Sequence, residues 1–158
     1  MRLRLFILLA FLACSVWSGK AQVYMGGSFR ILDNSENTFI HIAPEIGTNL
    51  NEKFAVAGSL AYYNLDGSSM VGFSPYVRYT FVKKGLLSLF ADGGVDLYLD
   101  DQVYLGVGIT PGILVNTHTP VSFFAKYGYV GYGNTPINQI SGINLSTSDL
   151  TIGFYYNF

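Results

Sequence analysis

Charge is scarce in this chain. Of 158 residues only 12% are Asp, Glu, Lys or Arg, whereas 50% are hydrophobic and 16% aromatic. Soluble domains average about 25% charged residues, so an ordinary water-facing surface is excluded. Cysteine is nearly absent too: Cys14 stands alone, which removes disulfide and dithiol chemistry. Lys and Arg together number 9 against 10 acids, so no basic nucleic-acid-binding face is available. Long apolar runs are missing beyond the first stretch, although a membrane helix needs about 20 consecutive apolar residues. Helical periodicity is missing throughout. HExxH and GxSxG do not occur, and GVGITPG fails the GxGxxG spacing with no helix to follow it. No cofactor and no metal site is expected.

The one apolar run comes first. Arg2 and Arg4 precede FILLAFLAC, and small and polar residues follow through SGKA. A basic start, a short apolar segment and small residues at 19 and 21 make a secretory signal peptide over 1–21. Phe11 stands where a lipoprotein box has leucine, so Cys14 reads as part of the discarded segment. Cleavage removes Arg2, Arg4 and Lys20 and no acid, which leaves the 22–158 domain net acidic.

From residue 22 onward the pattern has period two, the signature of strands with two unlike faces. One face carries Val23, Met25, Phe29 and Ile31; then Ile40, Ile42, Pro44 and Ile46; then Phe54, Val56, Leu60 and Tyr62. It continues through Val71 to Phe81, Leu87 to Leu99, Val103 to Val115, Val121 to Tyr129, and Leu150 to Phe158. These are eight strands of about ten residues or more, long enough to cross a bilayer at a tilt. NLNEK, VKKG and NTHTP read as tight turns at one end. LDNSEN, NLDGSS and LDDQ are slightly longer, and one real loop, 133–148, precedes the last strand.

The face bearing charge decides the architecture. The apolar face carries none, whereas the opposite face carries Arg30, His41, Glu45, Arg78, Asp92, Asp96 and Lys126. A soluble barrel requires the reverse, apolar inside and polar outside. A β-sandwich could leave these charges in water, but it would not need eight spanning-length strands with so aromatic a face. The sequence therefore predicts an all-β fold: an eight-stranded antiparallel up-and-down transmembrane barrel with a polar, side-chain-filled interior. Lipid covers the apolar face, and closure satisfies the backbone polar groups. Pro44, Pro75 and Pro111 inside strands oppose this, because each removes a ladder donor.

Inside so narrow a barrel, charges of mixed sign must pair, since an unpaired buried charge costs several kcal/mol. Height along the strands predicts a layer of Glu45, Arg78, Asp92 and Lys126, and a second of Arg30, Asp96 and His41. Inward Gly26, Gly94, Gly106, Gly108, Gly112 and Gly128 would make room for the long side chains. Asp33, Glu36, Asp66, Asp100 and Asp101 fall in the outer connections and form an acidic rim, whereas Lys53, Lys83 and Lys84 lie in the turns. The apolar face holds no His, Ser, Asp or Glu to act on lipid, so no enzyme is expected.

The phrases IAPEIGTNLNEKFAVAGSLAYY, FSPYVRYTF, GITPGILV and TIGFYYNF resemble the small outer-membrane β-barrel family of Gram-negative bacteria, the OmpA/OmpX-like or porin-family barrel domain. The resemblance spans 22–158. It implies an integral outer-membrane protein; the expected partners are outer-membrane lipid, lipopolysaccharide and, during biogenesis, the barrel-assembly machinery, and a monomer with periplasmic termini is expected. Thr151, Gly153, Tyr156 and Phe158 resemble the C-terminal signal read by the barrel-assembly machinery. Members of that family share no single activity. This chain departs from larger members in having no peptidoglycan-binding domain, and from adhesive members in its short outer loops. Three roles stay open: a structural or surface-interaction barrel closed by its charge network; a narrow channel for water, protons or small ions; or an adhesin or receptor using the 133–148 loop.

Overall fold

In the computed structural model the described residues are 22–34, 37–65, 68–99, 103–134, 139–144 and 150–158. Residues 1–21, expected to be a signal peptide, and Glu36, Asp66, Asp100 and Asp101 lie outside them. Arg30 and Asp33 lie on a described strand, but their side chains fall outside the description.

The strands are β1 (Gln22–Asn34), β2 (Asn37–Asn49), β3 (Phe54–Leu65), β4 (Ser68–Lys84), β5 (Leu87–Leu99), β6 (Val103–Asn116), β7 (Val121–Lys126), β8 (Tyr129–Asn134), β9 (Gln139–Asn144) and β10 (Thr151–Asn157). Each of β1 to β6 pairs antiparallel with its sequence neighbours, β6 pairs with β7, β7 with β10, and β10 with β1. The circuit closes as an eight-stranded barrel. β7 and β8 together make the seventh staircase of the wall, and β9 and β10 the eighth; β8 continues the pairing with β6 and carries β9 on its other edge.

The division between β7 and β8 corrects the single strand read through residues 121–129. Gly112 faces Lys126, but Ile109 faces Val130, so one extra residue enters between them. Gly128 supplies the turn with φ of 75°, a left-handed conformation that a side chain disfavours. The insertion is a β-bulge, and it reverses which side chains face inward. Tyr129 consequently leaves the apolar face, and its ring lies over Gly108 of β6.

Apart from that reversal the two faces keep their polarity. Met25, Phe29, Ile42, Ile46, Leu60 and Phe154 each leave about half their surface on the outside of the wall. Glu45, Arg78 and Asp92 are buried inside, with Tyr24, Phe90, Phe124 and Tyr155. An apolar exterior this continuous far exceeds the patches of a few hundred Å² that soluble monomers expose.

The three prolines each coincide with a break in one ladder. Against β3, the register of β2 passes from Ile42–Tyr62 to Glu45–Ser59, skipping Pro44. Against β5, β4 passes from Phe73–Leu97 to Tyr76–Gly94, skipping Pro75. On β6, Pro111 sits beside the bulge between β7 and β8. On the other edge each proline faces a small residue: Gly27, Gly58 and Ala91 respectively. The missing donor is thus turned toward a gap that makes no use of it.

Of the inward glycines named from sequence, Gly108 and Gly112 seat aromatic rings rather than long charged side chains, which corrects the role expected of those two, whereas Gly106 lies beside Asp96. A Cβ on Gly112 would meet Phe90 Cε2 at 2.7 Å and the Ala125 carbonyl oxygen at 2.9 Å; Gly72 faces the Tyr98 ring and Gly47 the Tyr24 ring in the same way. Substituting Gly112→Val should therefore lower stability by about 1–3 kcal/mol through overpacking. Urea unfolding in lipid vesicles measures it, and Phe90→Leu in the same chain should restore part of the loss.

Candidate functional site

Four interior charges gather from four strands, Glu45 from β2, Arg78 from β4, Asp92 from β5 and Lys126 from β7. Arg78 and Asp92 face each other across β4 and β5. Arg78 donates from Nε to Asp92 Oδ1 at 2.7 Å and from Nη2 to Oδ2 at 2.8 Å. This two-bonded geometry is the strongest form of a carboxylate–guanidinium pair. Lys126 on β7 reaches Asp92 Oδ2 at 2.9 Å and Glu45 Oε2 on β2 at 3.5 Å. The Tyr76 hydroxyl donates to Glu45 Oε1, and Arg78 Nη2 donates to the Tyr155 hydroxyl at 2.9 Å. Two cations and two carboxylates are thereby linked in one balanced cluster.

Aromatic rings pack around it. The Arg78 guanidinium lies 3.8 Å from the Phe90 ring centroid. Lys126 Nζ lies 4.7 Å from the Tyr76 ring and 5.1 Å from the Phe124 ring. Both cations thus have cation–π partners in addition to carboxylates. Phe124 stacks on Tyr155 at 4.4 Å, and Tyr155 meets Tyr24 at 4.8 Å. The proline repeat fixes the height of the layer. Residues one beyond the prolines are Glu45, Tyr76 and Gly112; the first two bond directly, and the third makes room for Phe90.

Of the other interior residues named from sequence, His41 is buried on β2 opposite Arg30 of β1. Asp96 lies farther up β5 and takes a hydrogen bond from Ser74. Neither belongs to the Arg78 cluster. Among the described residues, no group of His, Cys, Asp and Glu is arranged to hold a metal.

Below the cluster, at the turn end, the lumen widens into a cavity of about 550 Å³ with Arg78 in its lining. One wall is a chain of hydrogen bonds across four strands. Asn116 Nδ2 donates to Ser88 Oγ at 3.4 Å, Ser122 Oγ donates to Asn116 Oδ1 at 3.1 Å, and Asn157 Nδ2 donates to Ser122 Oγ at 3.1 Å and to the Pro120 carbonyl at 2.9 Å. Sequence reasoning missed this wall and the tyrosine partners. Inward parity alone marks Tyr76 and Tyr155, and the Ser and Asn residues resemble any turn-flanking polar positions.

The terminal residues divide between two surroundings. Thr151 is buried inside; Gly153 lies beneath the Phe124 ring, where a side chain would collide. Tyr156 and Phe158 face outward and meet edge to face at 5.0 Å. The Phe158 amide donates to the Val23 carbonyl at 3.0 Å, so the strand is paired to its last residue.

Removing Asp92 as Asp92→Asn leaves Arg78 and Lys126 short of a buried counter-charge and should cost about 3–5 kcal/mol. The double variant Arg78→Gln/Asp92→Asn should recover much of that loss. Unfolding midpoints in urea, measured in the same lipid, distinguish the two.

No known family model matches the chain, and no curated protein matches it. Among solved structures it is similar to the Yersinia pestis outer membrane protein Ail, a backbone structure obtained in a phospholipid bilayer nanodisc. The TM-score is 0.53 with 12% identity, over 88% of this chain and 100% of Ail. At that identity the likeness is one of fold, carried by strand number and closure rather than by shared side chains. The chain has the fold of an eight-stranded antiparallel β-barrel of the kind that Ail adopts.

Proposed function

We propose that this is an integral outer-membrane barrel with a structural or surface-interaction role, its lumen closed by the Arg78–Asp92–Lys126–Glu45 cluster. The observation that carries this reading is the joining of opposite walls at one height by ion pairs, with Phe90, Phe124 and Tyr155 filling the space between. The apolar exterior and the likeness to Ail support the membrane location. Residues 1–21 would then be a signal for export and 22–158 the barrel domain, with both barrel termini periplasmic. The protein is a monomer in this reading and performs no catalysis. Its partners are membrane lipid, lipopolysaccharide at the acidic outer rim, and the barrel-assembly machinery.

A second reading is a narrow path for water, protons or small ions. The open cavity below Arg78 favours it, because half of such a path already exists. Conductance across planar bilayers separates the two. The closed barrel should give no steady openings, and Arg78→Ala/Asp92→Ala should give more frequent ones. Reproducible openings of the unaltered chain would overturn the closed reading.

Assembly is tested at the last residue. Deleting Phe158 should slow insertion into the outer membrane, followed as the fraction of heat-modifiable barrel, while Phe158→Tyr should insert normally. Equal insertion of the truncated chain would remove the assembly role from Phe158.

A further inference from the structure

We propose that the turn-end cavity is a binding site for a small polyol bearing one oxyanion, a carboxylate or a phosphate. This goes beyond the closed-barrel reading and does not depend on whether the lumen conducts. At about 550 Å³ the cavity is of the size that small-molecule sites occupy. Its roof is Arg78, which is 5% exposed. Among the described residues Nε and Nη2 carry the Arg78 hydrogen bonds, to Asp92, Tyr155 and Tyr76. Among the described residues these bonds leave Nη1 unused, and Arg78 lines the cavity. A nearly buried guanidinium thus lines the cavity with one nitrogen uncommitted.

Charge around the cavity selects the sign of the ligand. Asp92 and Glu45 are not in the lining; its charged residues are Arg78, Lys83 and Glu52. An anion entering from the turns therefore meets Arg78 and Lys83, with Glu52 as the one acidic side chain and Phe158, the last residue, also in the lining. A guanidinium nitrogen facing a carboxylate or phosphate oxygen makes a charge-assisted hydrogen bond, roughly twice as strong as a neutral one.

The wall selects the rest of the ligand. In the Ser88–Asn116–Ser122–Asn157 chain each bond fixes the next side chain. By valence the chain leaves the Ser88 hydroxyl proton, one Asn116 amide proton and the Asn157 carbonyl oxygen for a ligand. Donors and an acceptor spaced by the strand separation of about 4.8 Å suit a row of hydroxyls. Because the wall is already bonded together, little side-chain freedom is lost when a ligand binds.

The test uses the full chain in phosphatidylcholine nanodiscs, with glucose 6-phosphate, gluconate and neutral glucose as probes. Side-chain amide resonances of Asn116 and Asn157 and the Arg78 Nε–H resonance report binding. Either anionic probe should produce saturable shifts at the turn end, and glucose should produce weaker ones. Which anion binds more tightly identifies the oxyanion. Ser88→Ala and Asn116→Leu should each weaken binding by roughly tenfold, the effect of one lost hydrogen-bonded partner. Should Asn116→Leu fail to fold, Ser88→Ala supplies the same comparison. No saturable shift through the millimolar range, equal shifts with glucose, or binding unchanged in the folded variants would each overturn the site.

Discussion

Two buried cations and two buried carboxylates share one narrow lumen, and the barrel depends on their mutual neutralisation. Arg78 alone holds Asp92 by two hydrogen bonds and Tyr155 by a third. Without a counter-charge each of these groups would carry a desolvation cost of several kcal/mol. Other side chains inside the wall are arranged around this requirement. Tyr76 and Tyr155 supply hydroxyls, Phe90 supplies a ring beneath the guanidinium, and Gly112 yields the space that the ring needs. The interior is consequently specific in shape. A generic apolar filling would tolerate many packings; a cluster with directional bonds tolerates few.

The exterior obeys a simpler rule. Its side chains must be apolar and must alternate with the interior, and few of them need a particular partner. Ile42, Ile46, Leu60 and Phe154 could exchange identities with modest effect, since each faces the surroundings of the wall. Constraint is therefore concentrated inside the wall, at Arg78, Asp92, Lys126 and the glycines under rings.

This division explains how much could be read from the sequence. Alternation identified the strands and their two faces because one residue of slip would reverse every side chain. Strand height placed Glu45, Arg78, Asp92 and Lys126 near one level, and ion pairs link these four. The bulge at Tyr127–Gly128 was not legible, since one inserted residue leaves local alternation intact on either side and shows itself only against the partner strand. That is why Tyr129 was assigned to the wrong face. The glycines were legible as space but not as to what fills it: a ring or a charged chain fits the same vacancy, and only three-dimensional neighbours decide. The hydrogen-bonded wall of Ser88, Asn116, Ser122 and Asn157 joins residues distant in sequence, with no motif to announce it.

The prolines divide the wall unevenly. Registers between β1 and β2, β3 and β4, and β5 and β6 run without interruption, whereas the breaks fall between β2 and β3, between β4 and β5, and between β6 and the β7–β8 staircase. β10 likewise pairs without a break with β1 on one edge and β7 on the other. The barrel is in this sense a ring of stiff plates, β3–β4, β5–β6 and the wider β7–β10–β1–β2, joined along more pliant seams. Shape changes such as ovalisation under lateral pressure would concentrate at those seams, and the plates would move as units.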